Sequence, residues 1–121
     1  MKRDLDLVRE ILFQAASEPG GYASANPKIE GFTADQIAHH IYLMKQAGLV
    51  EASNTSAAGG SSPTAILSSV TWEGHDFLEA ARSTSLWAQV KEKIKSTGGS
   101  ATFDLVKELL VAGARAQLGL S

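Results

Sequence analysis

The stretch Thr33-Ala34-Asp35-Gln36-Ile37-Ala38-His39-His40-Ile41-Tyr42-Leu43-Met44-Lys45-Gln46-Ala47-Gly48-Leu49-Val50 decides how the rest of the chain is read. Thr33 with Gln36 three residues later has the spacing of a capping box, so the start of a helix is specified twice. Ile37, Ile41 and Met44 fall on one side at helical spacing, with Gly48 following in the same phase. Gly48 sits where a left-handed C-cap belongs, and Leu49 follows it to pack back on the last turn. Leu49-Val50-Glu51-Ala52 then reads as a strand. The order is a capped helix, a glycine stop and an immediate strand.

The chain before this stretch supplies one more helix. Asp4 caps a helix running to Ala16, with Leu5, Val8, Leu12 and Ala15 inward and Ile11 beside them. Glu18-Pro19-Gly20-Gly21 ends it. Residues 22–27 are polar and irregular, and Lys28-Ile29-Glu30 is expected to form a short edge strand before Gly31-Phe32. Between Glu18 and Thr33 there is no apolar helical period.

After the central stretch, residues 53–63 are small, uncharged and centred on Gly59-Gly60, the composition of a hairpin loop. A second strand is expected over residues 64–71, with Ile66, Val70 and Trp72 in one register and Leu67 breaking the alternation. Thr71 or Trp72 then caps a helix that turns Phe77, Leu78 and Ala81 inward. Ser85 is read as the cap of a further helix, with Leu86, Val90 and Ile94 on one side and Lys91, Lys93 and Lys95 around the other. Gly98-Gly99 ends it. Ser100 or Thr102 caps a last helix reaching about Leu118. That helix has two apolar stripes. Phe103, Val106, Leu110 and Ala114 form one. Leu105, Leu109, Ala112, Ala116 and Leu120 form the other, which we read as a homodimer contact eased by Gly113 and Ala116. A helix sunk between others of the same chain is the alternative.

A glycine-stopped helix followed by a hairpin resembles the recognition helix and wing of winged helix-turn-helix proteins. The run His40-Ile41-x-Leu43-Met44-x-x-Ala47-Gly48-Leu49-Val50 is similar to one found in bacterial winged-helix repressors. Over nearly its full length the chain resembles a bacterial and phage family, the domain-of-unknown-function family 2513. The resemblance is carried by the opening Met1–Leu12 segment, Ile29-Glu30-Gly31-Phe32, Ala47-Gly48-Leu49-Val50, Thr71-Trp72-Glu73-Gly74-His75-Asp76-Phe77-Leu78, and Trp87 with Val90-Lys91-Glu92-Lys93. It implies an α+β fold, a small winged helix-turn-helix-like domain with extra C-terminal helices. Residues 1–121 then form a single domain, with the wing at 49–72 and the helical extension at 73–120. The family carries no assigned activity, so the resemblance transfers no site residue.

Composition narrows the function classes. The chain has 121 residues, 44% of them hydrophobic, enough for an ordinary core. It has no cysteine, which removes disulfides, thiolate metal sites and thiol nucleophiles. The start has no apolar signal segment, and no run approaches a membrane span, so a cytoplasmic location is expected. Basic and acidic residues number 11 and 13, a net charge of −2, which is not the strongly basic balance of a protein held by phosphates.

The face of the central helix opposite Ile37, Ile41 and Met44 offers Gln36, His39, Tyr42 and Lys45, types that bond base edges or phosphates. These four are the candidate double-stranded-DNA contacts of a transcription regulator. The competing reading is a winged-helix interaction module that does not bind DNA and acts through an unknown protein partner or a second copy. It is favoured by the absent middle helix, the uncharged hairpin and the lack of any basic residue between Lys45 and Arg82. Lys91, Lys93, Lys95 and Lys107 are the richest basic cluster. Adjacent His39 and His40 point about 100° apart and cannot chelate together, so no metal is expected. His75-Asp76 has neither a nucleophile nor a phosphate loop nearby, and no cofactor or enzyme activity is read from the chain. Trp72 and Trp87 read as core or interface anchors.

Overall fold

The computed structural model describes residues 2–96 and 103–117; within the latter span the side chains of Phe103, Asp104, Leu105, Ala114 and Gln117 are not described. The expected caps and glycine stop at residues 98–102, and Leu118 and Leu120, lie outside the described residues. The architecture is α+β. Its described elements are α1 (Leu5–Ala16), α2 (Ala34–Gln46), β1 (Val50–Asn54), β2 (Ala65–Val70), α3 (Trp72–Ala81), α4 (Thr84–Ser96) and α5 (Phe103–Gln117). The chain forms two compact units, residues 1–75 and 76–121.

In the first unit, α1 starts where Asp4 accepts hydrogen bonds from the backbone N–H groups of Asp6 and Leu7. Leu7, Val8, Ile11, Leu12 and Ala15 are its buried residues. Leu7 takes the inward place expected of Leu5, which is only half-buried. The capping box of α2 is complete: Thr33 Oγ1 accepts from Gln36 N–H at 3.1 Å, and Gln36 Oε1 accepts from Thr33 N–H at 2.8 Å. The other end of α2 is a Schellman turn. Gly48 N–H donates to the Lys45 carbonyl and Leu49 N–H to the Met44 carbonyl, with Gly48 at φ +79°. Ile37, Ile41 and Met44 are buried as the periodicity predicts.

β1 and β2 form an antiparallel two-stranded sheet. Glu51 lies opposite Ser69 but Ala52 lies opposite Leu67, so Ser68 is an extra residue, a β-bulge. The extra residue takes Val70 out of phase with Ile66, so the single register expected of the two does not hold; Ala65 and Leu67 are buried while Ile66 and Val70 are half-buried. No strand forms at Lys28–Glu30. Instead Ala23 N–H donates to the Ser68 carbonyl and Leu67 N–H to the Ala25 carbonyl, which lays residues 23–25 along the other edge of β2. The bulge residue thus gains a partner outside the two-stranded ladder. No helix stands between α1 and α2, as the missing apolar period predicts.

Thr71 is the hub between hairpin and α3. Its N–H donates to the Leu49 carbonyl, its hydroxyl donates to the Gly48 carbonyl at 2.6 Å, and the same oxygen accepts from Gly74 N–H at 3.0 Å. Thr71 rather than Trp72 is therefore the cap of α3. A Cβ on Gly74 would run into the Leu49 carbonyl oxygen and come within 2.8 Å of Val70 Cγ1. Only glycine lets the first turn of α3 cross the start of β1 this closely.

In the second unit, Phe77, Leu78 and Ala81 are buried, as expected. Trp87 packs edge-on to Phe77, ring centroids 6.3 Å apart. Ser83, not Ser85, caps α4, accepting from Leu86 N–H at 3.2 Å. α4 and α5 pack together; Val106 and Leu110 are fully buried, and a Cβ on Gly113 would strike Leu86 Cδ1. The close approach at Gly113, read from sequence as serving a dimer, is used within the chain.

Candidate nucleic-acid interface

The four candidate contacts all lie on α2, but they do not converge. Gln36 and Lys45 are nine residues apart, so at about 100° per residue they sit on opposite flanks of the helix and roughly 13 Å apart along it. His39 and Tyr42 stand between them on the solvent side, with Asp35 and Gln46 in the same sector. Lys45 and Gln46 are exposed, and Gln36, His39 and Tyr42 are half-buried.

Three of the four are already hydrogen-bonded inside the chain. The Gln36 side-chain oxygen Oε1 is committed to the capping box. His39 Nδ1 donates to the Pro63 carbonyl at 2.7 Å, which ties the end of the hairpin loop to α2 and leaves Nε2 as the ring's other polar atom. The His39 and Tyr42 rings stack, centroids 6.4 Å apart and 16° from parallel, and the Tyr42 hydroxyl accepts from the Gln46 amide at 3.2 Å. The surface is thus a helix face clamped to its hairpin, with Asp35, Gln46, His39 Nε2 and the Lys45 ammonium among its polar groups. The one lysine of α2, Lys45, is matched in number by one carboxylate, Asp35, at the other end of the helix, and the hairpin loop carries no charge. Acidic side chains outnumber basic ones in residues 1–75 as a whole.

Behind this face lies a connection that the sequence does not reveal. His40 is 2% exposed. Its Nε2 accepts from Asp4 N–H at 2.8 Å, and its Nδ1 donates to the Gln36 carbonyl at 2.7 Å. The neutral Nδ1–H tautomer satisfies both bonds, and the ring joins the first turn of α1 to α2. Burial pushes the His40 pKa below its ordinary value; the neighbouring His39 lowers it further, while the Gln36 carbonyl and Asp4 partly offset this. A cavity of about 450 Å³ lies between residues 26–32 and α2, lined by Ile29, Phe32, Ile37 and Ile41 among others.

The remaining sequence candidates are scattered. Lys93 and Lys95 are exposed and Lys91 and Lys107 half-buried. Lys91 and Lys95 share one side of α4, and Lys93 points away from both. His75 and Asp76 are exposed in the first turns of α3. Trp72, expected as an anchor, is 83% exposed, whereas Trp87 is buried. Of the candidate dimer residues, Leu109 is half-buried, Ala112 and Ala116 are exposed, and the Leu105 side chain is not described. Among the described residues no helix is long and apolar enough to cross a membrane, and no three His, Cys, Asp or Glu side chains group as a metal site would need.

A helix bonded through His39 to a two-stranded antiparallel hairpin, within an α+β architecture, is the frame that holds these residues. Residues 2–100 match the family described as "Hypothetical protein (DUF2513)", and the chain belongs to that family. An uncharacterized protein of Haemophilus influenzae is 34% identical over 110 residues, covering 90% of this chain and 92% of that one. No solved structure matches the chain. The family is one of unknown function, so the residues' own chemistry carries the functional reading.

Proposed function

We propose that the first unit is a winged-helix-type scaffold and that the protein is a cytoplasmic, DNA-associated transcription regulator working as a homodimer. The observation that carries this reading is the clamp between α2 and its hairpin, His39 Nδ1 to the Pro63 carbonyl. It holds helix and wing as one rigid edge with Tyr42, Lys45 and Gln46 beside it. Residues 23–25, alongside β2, stand where a third strand of such a scaffold runs. The helix approaches the major groove; Gln46 and His39 Nε2 bond base edges, and Lys45 neutralises a phosphate. With so few cations per protomer the electrostatic part of binding is small, so two protomers on one duplex are needed.

The test is fluorescence anisotropy with random-sequence duplex DNA at low salt, followed by the Lys45→Glu variant. Lys45 is exposed, so the substitution leaves the fold intact. Binding that Lys45→Glu abolishes supports the reading; absence of binding by the unaltered protein at the lowest salt ends it. The second reading, a winged-helix interaction module without DNA affinity, is favoured by the acidic balance of the first unit and its uncharged hairpin loop. It takes over if the duplex is not bound.

A further inference from the structure

The outer face of α5 has the pattern of a surface made to meet itself. Val106 and Leu110 are buried, and Gly113 faces Leu86 of α4. Glu108, Val111, Ala112 and Arg115 follow at i, i+3, i+4 and i+7, and at about 100° per residue their strip lies half a turn away from the packed one. All four are exposed, Val111 by 44% although it is a large hydrophobe. They line a shallow groove together with Lys107. The centre of the strip is apolar and small, and its ends carry opposite charges. Glu108 and Arg115 are roughly 10 Å apart along the axis, and no ion pair joins them.

We propose that this strip is a self-association surface, on which α5 packs antiparallel against α5 of a second copy about a two-fold axis passing between Val111 and Ala112. In that register Val111 meets the partner's Ala112, and Glu108 meets the partner's Arg115. The two-fold repeats each pairing, as an isologous contact requires. The parallel arrangement is excluded by charge, since it sets Glu108 on Glu108 and Arg115 on Arg115. Ala112 lets the two backbones approach closely, and Val111 loses its exposure. The contact is small beside the roughly 800 Å² per partner of a standard interface, so the dimer is weak and dependent on concentration.

The inference rests on the homodimer in the functional reading above and specifies its surface; it is independent of DNA binding. Sedimentation velocity from about 1 µM to 1 mM protein tests it. The unaltered protein should pass from monomer to dimer across that range. Glu108→Arg and Arg115→Glu should each weaken association at least tenfold, because each sets like charges against one another. An equimolar mixture of the two variants should associate again, since one chain then carries only basic and the other only acidic groups at these positions. The doubly swapped chain should also dimerise. If the unaltered protein stays monomeric throughout, the homodimer and this surface both fall. If it dimerises but neither substitution matters, the homodimer stands on another face and this pairing alone is wrong.

Discussion

His40 is the residue whose chemistry is most tightly prescribed. Its two ring nitrogens are both engaged, one as acceptor from Asp4 N–H and one as donor to the Gln36 carbonyl. A second ring proton would face the Asp4 N–H, so the charged form breaks the link between α1 and α2. The Asp4 carboxylate and His39 are the ionisable groups acting on the ring, and burial outweighs them. Because the pKa is lowered in the folded chain, the unfolded chain takes up this proton first as the pH falls. His40 therefore contributes its full stability above about pH 6.5 and loses it progressively as the pH drops from there through the lowered folded value. Urea unfolding between pH 7.5 and 5 should show this decline, and His40→Ala should abolish it while costing about 2–4 kcal/mol at pH 7.5. An unchanged pH profile in the variant would refute the assignment. The two tryptophans offer a second check. Trp72 is 83% exposed and Trp87 is buried. Acrylamide should quench two distinct classes of fluorescence, and Trp72→Phe should remove the accessible class.

The element most dependent on one position is the crossing of α3 over the start of β1. Gly74 meets the Leu49 carbonyl there, and Thr71 bonds both the Gly48 carbonyl and Gly74 N–H. The atom in the way of a new Cβ is backbone, which cannot rotate aside. Gly74→Ala should cost about 2 kcal/mol or more, by overpacking. It should lower the urea midpoint well beyond what Gly20→Ala does at a site where a Cβ meets nothing. Equal midpoints for the two variants would mean that α3 starts elsewhere. The α5 strip is the second element-scale case. In the pairing proposed for it, opposite charges at the two ends of one exposed face select the orientation of the second copy, and the charge swaps described above read that selection directly.

Charge is the deciding quantity at the scale of the whole molecule. The chain carries a net −2, and its first unit is the acidic part. Each phosphate neutralised contributes about −0.9 to the slope of log affinity against log salt. One lysine from each protomer therefore predicts a slope of about −2, far shallower than that of a basic DNA-binding domain. A steep slope would mean that cations outside α2 do the binding, and would move the interface away from Lys45. A slope near the predicted value that Lys45→Glu flattens would assign the contact to that side chain.

The sequence by itself determined most of the elements and several of their ends, though it expected a strand at Lys28–Glu30 that does not form and placed the cap of α4 at Ser85 rather than Ser83. The Thr33–Gln36 capping box, the Gly48 stop, the burial of Ile37, Ile41 and Met44, the absence of a helix between residues 18 and 33, and the hairpin around Gly59-Gly60 were all readable. Caps, left-handed glycines and a 3.6-residue period act within a few residues, and so does the pattern that records them. Only the tertiary structure decided which distant partners the side chains of α2 bond. Gln36 is spent on its own cap, a local bond the sequence already shows, but His39 is spent on Pro63 and His40 on Asp4, 24 and 36 residues away. Trp72 faced water for the same reason that Ser68 became a bulge and Gly113 packed on Leu86. Facing is set by which neighbour arrives from a distant part of the chain, and no local period encodes that arrival.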